Sequence, residues 1–352
     1  MINQLTFTRF IAAILIVFYH FGDYLLRYNI YFIDVLRPKL NLGVSYFYVL
    51  SGFVMMVAYG NRDKVNFKQY YINRFARIYP LHILGTLSFI AVALWLSLDG
   101  FKSFQFELSA LISHLFLIQA WIPKLSLSLN IPAWSISVEA FFYLLFPLIY
   151  NRFIRKTNKK TIFSVIIIFW IICQFAFNWY FLSSHYGGYK SLDRYFLSYN
   201  PFFHLNSFLV GILFGYFYIN NKEKYIGKFD FAIIGVGVAM GLLVYFFNSY
   251  FFHNGLLAPF FGIFILLLAY NKGFITKLFN RPQLIYLGEI SFAVYLLQQP
   301  VFDFAHRLFP LFHLENAYIQ FAIGTAMLIF ASHLSYKFVE VPLRDRIRKW
   351  GK

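Results

Sequence analysis

Leu5-Thr6-Phe7-Thr8-Arg9-Phe10-Ile11-Ala12-Ala13-Ile14-Leu15-Ile16-Val17-Phe18-Tyr19-His20-Phe21-Gly22-Asp23-Tyr24 reads as a membrane span, yet it carries an arginine and a histidine. On an α-helix the step from Arg9 to His20 is about 1100° of rotation, which returns the two side chains to within about 20° of one face. Along the axis the step is about 16 Å, half of a hydrocarbon core about 30 Å thick. One helix therefore holds a fixed cation near its start and a titratable imidazole much deeper, both looking the same way. Ionisable groups are costly in lipid, so that face is expected to meet a protein cavity or water. The competing readings are a snorkelling anchor for Arg9 and an imidazole hydrogen-bonded between helices for His20.

The rest of the chain agrees with a membrane setting. Of its 352 residues 60% are hydrophobic and 13% charged, and the mean hydropathy is +0.61, which excludes a soluble globular domain. No basic segment precedes the first span and no small-residue cleavage site follows it, so it is expected to be retained as a helix. The single cysteine, Cys173, excludes an internal disulfide and a multi-cysteine metal site. The nine histidines are scattered without ligand spacing, and no metal is expected. A net charge of +17 raises the question of nucleic acid. The basic residues, however, lie in short connections between spans and form no single face, so membrane topology accounts for them better.

Nine further spans are expected: Asn41–Tyr59, Tyr79–Leu98, Ala133–Tyr150, Thr161–Leu182, Pro201–Ile219, Phe229–Phe247, Gly255–Tyr270, Ile285–Phe304 and Ala317–Val339. The fold class is all-α, a polytopic bundle of about ten transmembrane helices. Phe106–Ile122 is apolar but short and carries Glu107 and His114. With ten spans and a cytoplasmic N-terminus, the inner connections hold 21 Lys and Arg residues against 8 outside, the bias expected of cytoplasmic loops. An eleventh span would put the clusters at 152–160 and 344–352 on the wrong side. Residues 106–122 are therefore expected to form a re-entrant or interfacial helix on the outer side. There is no repeat and no long linker: residues 1–340 form one integral membrane domain, and 341–352 a basic cytoplasmic tail expected on the anionic inner leaflet. Many of the 75 Phe and Tyr residues cluster at span ends, as interfacial aromatic belts do.

Two more stretches carry chemistry. In Tyr70-Tyr71-Ile72-Asn73-Arg74-Phe75-Ala76-Arg77-Ile78-Tyr79-Pro80, Arg74 and Arg77 share a helical face at the inner mouth of the third span. Two planar guanidinium forks suit phosphate, with simple positive-inside marking as the alternative. In Pro132-Ala133-Trp134-Ser135-Ile136-Ser137-Val138-Glu139, the glutamate sits about 10 Å into its helix. A carboxylate at that depth is paired, protonated or functional, or it simply ties two helices together.

These residues together resemble the acyltransferase-3 family of integral membrane acyltransferases. The resemblance rests on Arg9 and His20, on Gly43-Val44-Ser45-Tyr46-Phe47-Tyr48-Val49-Leu50-Ser51-Gly52-Phe53, and on Arg74-Phe75-Ala76-Arg77-Ile78-Tyr79-Pro80. Trp134 to Glu139, Ser291 to Pro300 and Glu340-Val341-Pro342 extend it over nearly the whole chain. Two positions depart from the family's habit: Ser45 stands where an acidic residue is frequent, and Gln298 where a histidine is frequent. The resemblance implies transfer of an acyl group, most often acetyl, from cytoplasmic acyl-CoA to an extracytoplasmic sugar of a surface polysaccharide or lipid-linked glycan.

On that footing Arg74 and Arg77 are expected to bind the phosphates of acetyl-CoA. Arg9 would meet the pyrophosphate or polarise the thioester. His20 is the expected general base for the acceptor hydroxyl, or an acyl relay. Glu139 would orient His20 or bind the sugar, with Asp23 as a competitor for the orienting role. Trp134, Ser135 and Ser137 are candidates for the acceptor site, while Tyr295 and Gln299 are read as packing residues. The rival from another class is a non-catalytic polysaccharide or lipid transporter, against which stands the lack of an inverted repeat. The chain stops soon after the tenth span, so the membrane domain is expected to act alone or with a separate protein.

The topology has a direct test. In a Cys173→Ser background, a cysteine placed at Lys159 is expected to stay unlabelled by an impermeant thiol reagent in intact cells and to label after permeabilisation. Labelling in intact cells would invert the bundle.

Overall fold

The computed structural model describes residues 2–22, 31–98, 100, 104–105, 107–188 and 191–350. They form fifteen α-helices: α1 (Gln4–Phe21), α2 (Tyr31–Leu36), α3 (Leu42–Tyr59), α4 (Phe67–Leu98), α5 (Leu108–Leu115), α6 (Trp134–Leu148), α7 (Lys159–Phe181), α8 (Leu192–Tyr199), α9 (Pro201–Asn221), α10 (Asp230–Phe246), α11 (Ala258–Tyr270), α12 (Phe274–Phe279), α13 (Pro282–Leu308), α14 (Ala317–Ser335) and α15 (Val341–Lys349). Among the described residues there is no strand, only a single bridge between Gly227 and Asn271.

Each of the ten expected spans is helical. By length and composition, helices in seven regions can cross a membrane, those of α1, α3, α4, α6, α7, α9 and α14. Helices α10 and α11 are apolar but shorter, and α13 has 27 residues of more mixed polarity. The protein is a multi-pass membrane protein. Asn158, Ser191, Asn200 and Asn316 each accept a hydrogen bond from a backbone N–H in the first turn of the helix that follows, which fixes the starts of α7, α8, α9 and α14.

One boundary moves. The third span is expected from Tyr79, yet α4 begins at Phe67 and runs for 32 residues, about 48 Å. Hydropathy marks where the apolar run starts; the helix itself continues through Arg74 and Arg77 beyond it. In the stretch 106–122, α5 has eight residues, about 12 Å, too short to cross. Its C-terminal end is pinned against the middle of α4: His82 Nε2 donates to the His114 carbonyl at 2.9 Å, and His114 Nε2 to the Ser128 carbonyl at 2.9 Å. Phe106 and Asp23 lie outside the described residues.

Contacts between helix ends define the up-and-down order. At one end Gln4 donates to the last carbonyls of α11, Tyr150 to the Gly60 and Arg62 carbonyls, and Tyr286 of α13 meets His333 of α14. At the other end Ser45 donates to the His253 carbonyl at 2.6 Å and Lys39 to the Asn248 carbonyl at 2.9 Å. The start of α1 and the end of α14 therefore share one end of the bundle.

Helix α3 is the hub. It is buried along most of its length, and against α9 the two backbones touch. A Cβ at Gly52 would lie 2.1 Å from the Phe208 carbonyl oxygen, and one at Gly211 2.0 Å from that of Val49. Small residues allow such approach where lipid supplies no hydrophobic drive between helices. The lipid-facing periphery is marked by exposed Ile168, Ile172 and Phe175 on α7 and Phe231 and Phe246 on α10.

Gly211→Val is therefore expected to destabilise the purified protein by roughly 1–3 kcal/mol, the usual cost of overpacking. Gly237→Val, which meets open space, serves as the control. Thermal melting in detergent should separate them; equal melting points would mean that the α3–α9 contact is looser than described.

Candidate active site

The face of α1 is built as its spacing suggests. Ile11 and Leu15 are exposed on the lipid side. Ala13 and Ile16 are buried, and Ile16 lies against the Gly43 position of α3. Arg9 and His20 continue that inward stripe, partly buried at its two ends.

At the Arg9 end four parts of the chain converge. Glu139 of α6 and Glu340, in the π-helical turn Tyr336–Glu340, both attract Arg9, while Arg77 of α4 repels it. Glu340 is itself 5% exposed and lies within electrostatic reach of Arg77, Arg9 and Arg344. Charges taken out of water need compensation, and here Glu139 and Glu340 lie within electrostatic reach of Arg9, and Glu340 also of Arg77, while Glu340 Oε1 is buried without a hydrogen-bond partner. Tyr143, one turn after Glu139, donates its hydroxyl hydrogen to Glu139 Oε1. Its ring also faces the Arg74 guanidinium at 5.6 Å, and Tyr59 and Tyr70 complete an aromatic cage at 5.9 and 5.7 Å. Arg77 sits over the Phe292 ring at 5.8 Å. Arg74 Nε is buried without a hydrogen-bond partner.

The structure thus brings Arg9, Arg74, Arg77 and Glu139 into one cluster. His20 stands apart from it along α1, beside the rings of Tyr19 and Phe21. Glu139 consequently acts on Arg9 and Tyr143 in this geometry. One member of the cluster escaped the sequence reading: Tyr143 is four residues from Glu139, a spacing that places them on one face. Glu340 stands in the Glu340-Val341-Pro342 motif of the resemblance, which gave it no role, although an acid inside the apolar Phe338-Val339-Glu340-Val341 was signal enough.

The remaining candidates lie toward the opposite end. Trp134 is 5% exposed and packs between His204 at 5.3 Å, His253 at 5.5 Å and Tyr199 at 4.9 Å. Both imidazoles donate Nε2–H to the Ser198 carbonyl, at 2.8 and 3.0 Å, which leaves Nδ1 as the acceptor on each. Ser135 receives the Tyr295 hydroxyl at 2.8 Å and donates to the Pro132 carbonyl at 3.0 Å, tying α6 to α13. Ser137 donates to the carbonyl of Leu117, whose backbone is left-handed at φ 57°. Ser45 holds the His253 carbonyl, and Gln298 donates to Tyr295 within its own helix at 2.7 Å. Gln299 donates to Asp303 at 2.9 Å. Near α5 a cavity of about 460 Å³ opens, lined by Phe89, Glu107, Lys124, Ser128 and Tyr195 among others. Among the described residues no group of three or more His, Cys, Asp or Glu is arranged to hold a metal ion.

A model of the acyltransferase-3 family, described as an acyltransferase domain, matches residues 2–336, and the chain belongs to that family. It is similar to the acyltransferase MdmB of Streptomyces mycarofaciens, 27% identical over 76% of this chain and 70% of that protein. A putative O-acetyltransferase of Staphylococcus aureus (strain COL) is 23% identical over 86% of this chain and 52% of its own length. The putative peptidoglycan O-acetyltransferase YrhL of Bacillus subtilis is 24% identical over 87% and 50%. The chain thus spans about half the length of the staphylococcal and Bacillus relatives it matches. No solved structure matches it.

Because Glu139 faces Arg9 and Tyr143, Glu139→Gln is expected to lower acyl transfer about tenfold or more, as loss of one charge-assisted contact does. Asp23→Asn is expected to stay within about threefold, since its place in the sequence, three residues after His20, reads as the outer interface facing water. Rates measured at matched membrane levels decide; equal losses would refute the ranking.

Proposed function

We propose that this protein is an O-acyltransferase of the cytoplasmic membrane, with both termini cytoplasmic. It moves an acyl group, acetyl by family habit, from cytoplasmic acyl-CoA to a hydroxyl of an extracytoplasmic sugar in a surface polysaccharide or lipid-linked glycan. The observation that supports the reading is the largely buried cluster of Arg9, Arg74 and Arg77 with Glu139 and Glu340, of which Arg9 shares a face of α1 with His20. A carrier of neutral glycan has no use for such a concentration of guanidinium groups, whereas a phosphorylated thioester donor does.

The chemistry follows from the donor. A thioester is already activated, so the site must bind it, remove the proton of the attacking hydroxyl and stabilise the tetrahedral oxyanion. Arg74 and Arg77 hold the phosphates from the basic end of the bundle. Arg9, deeper on the same side and within electrostatic reach of Glu139 and Glu340, meets the pyrophosphate, and the acyl arm runs on from there along α1. His20, about 16 Å further along α1, accepts the hydroxyl proton as the C–O bond forms. The C–S bond then breaks, and the imidazolium returns the proton to the departing thiolate. In a two-step version His20 takes the acyl group first and passes it to the sugar. Trp134 contributes an aromatic wall toward the acceptor side, while Ser135 and Ser137 support that wall through Tyr295 and Leu117. YrhL suggests peptidoglycan as one acceptor class. Anionic lipids at the inner leaflet and the absence of a nucleic-acid partner complete the proposal.

The experiment compares envelope polysaccharide, by NMR and mass spectrometry, from cells with the wild-type chain, His20→Ala, and Arg74→Ala with Arg77→Ala. Ester-linked acyl groups are expected with wild type and in neither variant. Equal acylation in all three, with altered polysaccharide display, would replace the enzyme by a carrier.

A further inference from the structure

The basic tail is not a free surface segment. Helix α15 continues from α14 through the π-helical turn Tyr336–Glu340 and packs along α4, the helix that carries Arg74 and Arg77. Its charges divide by face. Arg344 and Arg348, one turn apart, are partly buried, whereas Arg346 and Lys349 are exposed. Arg348 lies within electrostatic reach of Arg344, Arg74 and Arg77, with Asp345 as its carboxylate neighbour. Arg344 contacts the same Asp345 at 3.5 Å, an acid whose side chain is 57% exposed. Glu340 faces Arg344 from the turn before. The Nε–H groups of Arg74 and Arg348 are both buried without a hydrogen-bond acceptor.

Four guanidinium groups on two packed helices repel one another, and each buried N–H without a partner adds a desolvation cost. A ligand with several anionic oxygens relieves both penalties at once, and planar forks match phosphate in a way that lysines do not. We propose that Arg344 and Arg348 of α15 complete, with Arg74 and Arg77 of α4, one anion site for the nucleotide phosphates of the acyl donor. This rests on the acyl-CoA reading above and extends it to a part of the chain outside the family match. The inward pair serves the nucleotide; the exposed pair Arg346 and Lys349 remains for lipid headgroups. The tail thereby becomes a wall of the donor site.

The test uses the full chain in nanodiscs of neutral lipid, with binding of coenzyme A and of adenosine 3′,5′-bisphosphate followed by calorimetry. Arg344→Gln with Arg348→Gln is expected to weaken both about tenfold or more, and Arg346→Gln with Lys349→Gln to change them less than about twofold. Arg344→Lys with Arg348→Lys keeps the charge and should recover only part of the loss, which separates a site from misfolding. Unchanged coenzyme A affinity in the double Gln variant overturns the inference and leaves the donor reading intact. So does a loss confined to binding of phosphatidylglycerol vesicles, which would make the inward pair a lipid-headgroup site. If the wild-type chain binds no coenzyme A at all, the donor reading falls and this inference with it.

Discussion

Placing Arg9 inside a membrane bundle constrains everything around it. A guanidinium cannot shed its charge at physiological pH, so the fold must bring carboxylates to it or lose the helix that carries it. Glu139 and Glu340 meet that demand from α6 and from the turn after α14. Helix α1 is thereby coupled electrostatically to the middle and to the end of the chain. The arginine pair on α4 joins the same cluster, Arg77 within electrostatic reach of Glu340 and both arginines within reach of Tyr143. The groups that meet in the bundle's polar interior are also the ones proposed to hold the donor's phosphates.

The two ends of that interior are built on different principles. The arginine end uses charge, with aromatic rings as lids over the guanidinium planes. The opposite end uses neutral hydrogen bonds: two imidazoles share one carbonyl, serines hold loop carbonyls, and Trp134 fills the space between. Such a division suits the proposed transfer, because phosphate binding needs fixed cations while sugar hydroxyls are met by neutral donors and acceptors.

Much of this was legible in the sequence because helical periodicity is local. The shared face of Arg9 and His20, the Arg74 and Arg77 pair and the helices at the ten expected spans all follow from spacing and composition. Segment 106–122 was readable through the charge bias of the loops, and its pinning by His82 and His114 gives the physical reason. The partners were not legible. Nothing near Arg9 in the chain announces Glu340, which arrives from the other end, and nothing around Val341 says that its helix packs along α4. Hydropathy also hid the first twelve residues of α4, because a helix that leaves the apolar layer stops looking like a span. Trp134, Ser135 and Ser137 were found as a motif, yet their hydrogen bonds reach loops and helices that only the tertiary structure brings near.

The π-helical turn at Tyr336–Glu340 has a mechanical meaning. A π turn accommodates one extra residue per turn, and each residue in an α-helix advances the face by about 100°. That single added residue decides which side of α15 looks at α4. Losing it would swing the arginines at 344 and 348 toward the bilayer and bring the outward charges round in their place, with composition almost unchanged. The orientation of the chain's last helix is thus set by a phase, an angular offset stored in five residues, that no count of charges in the tail would reveal.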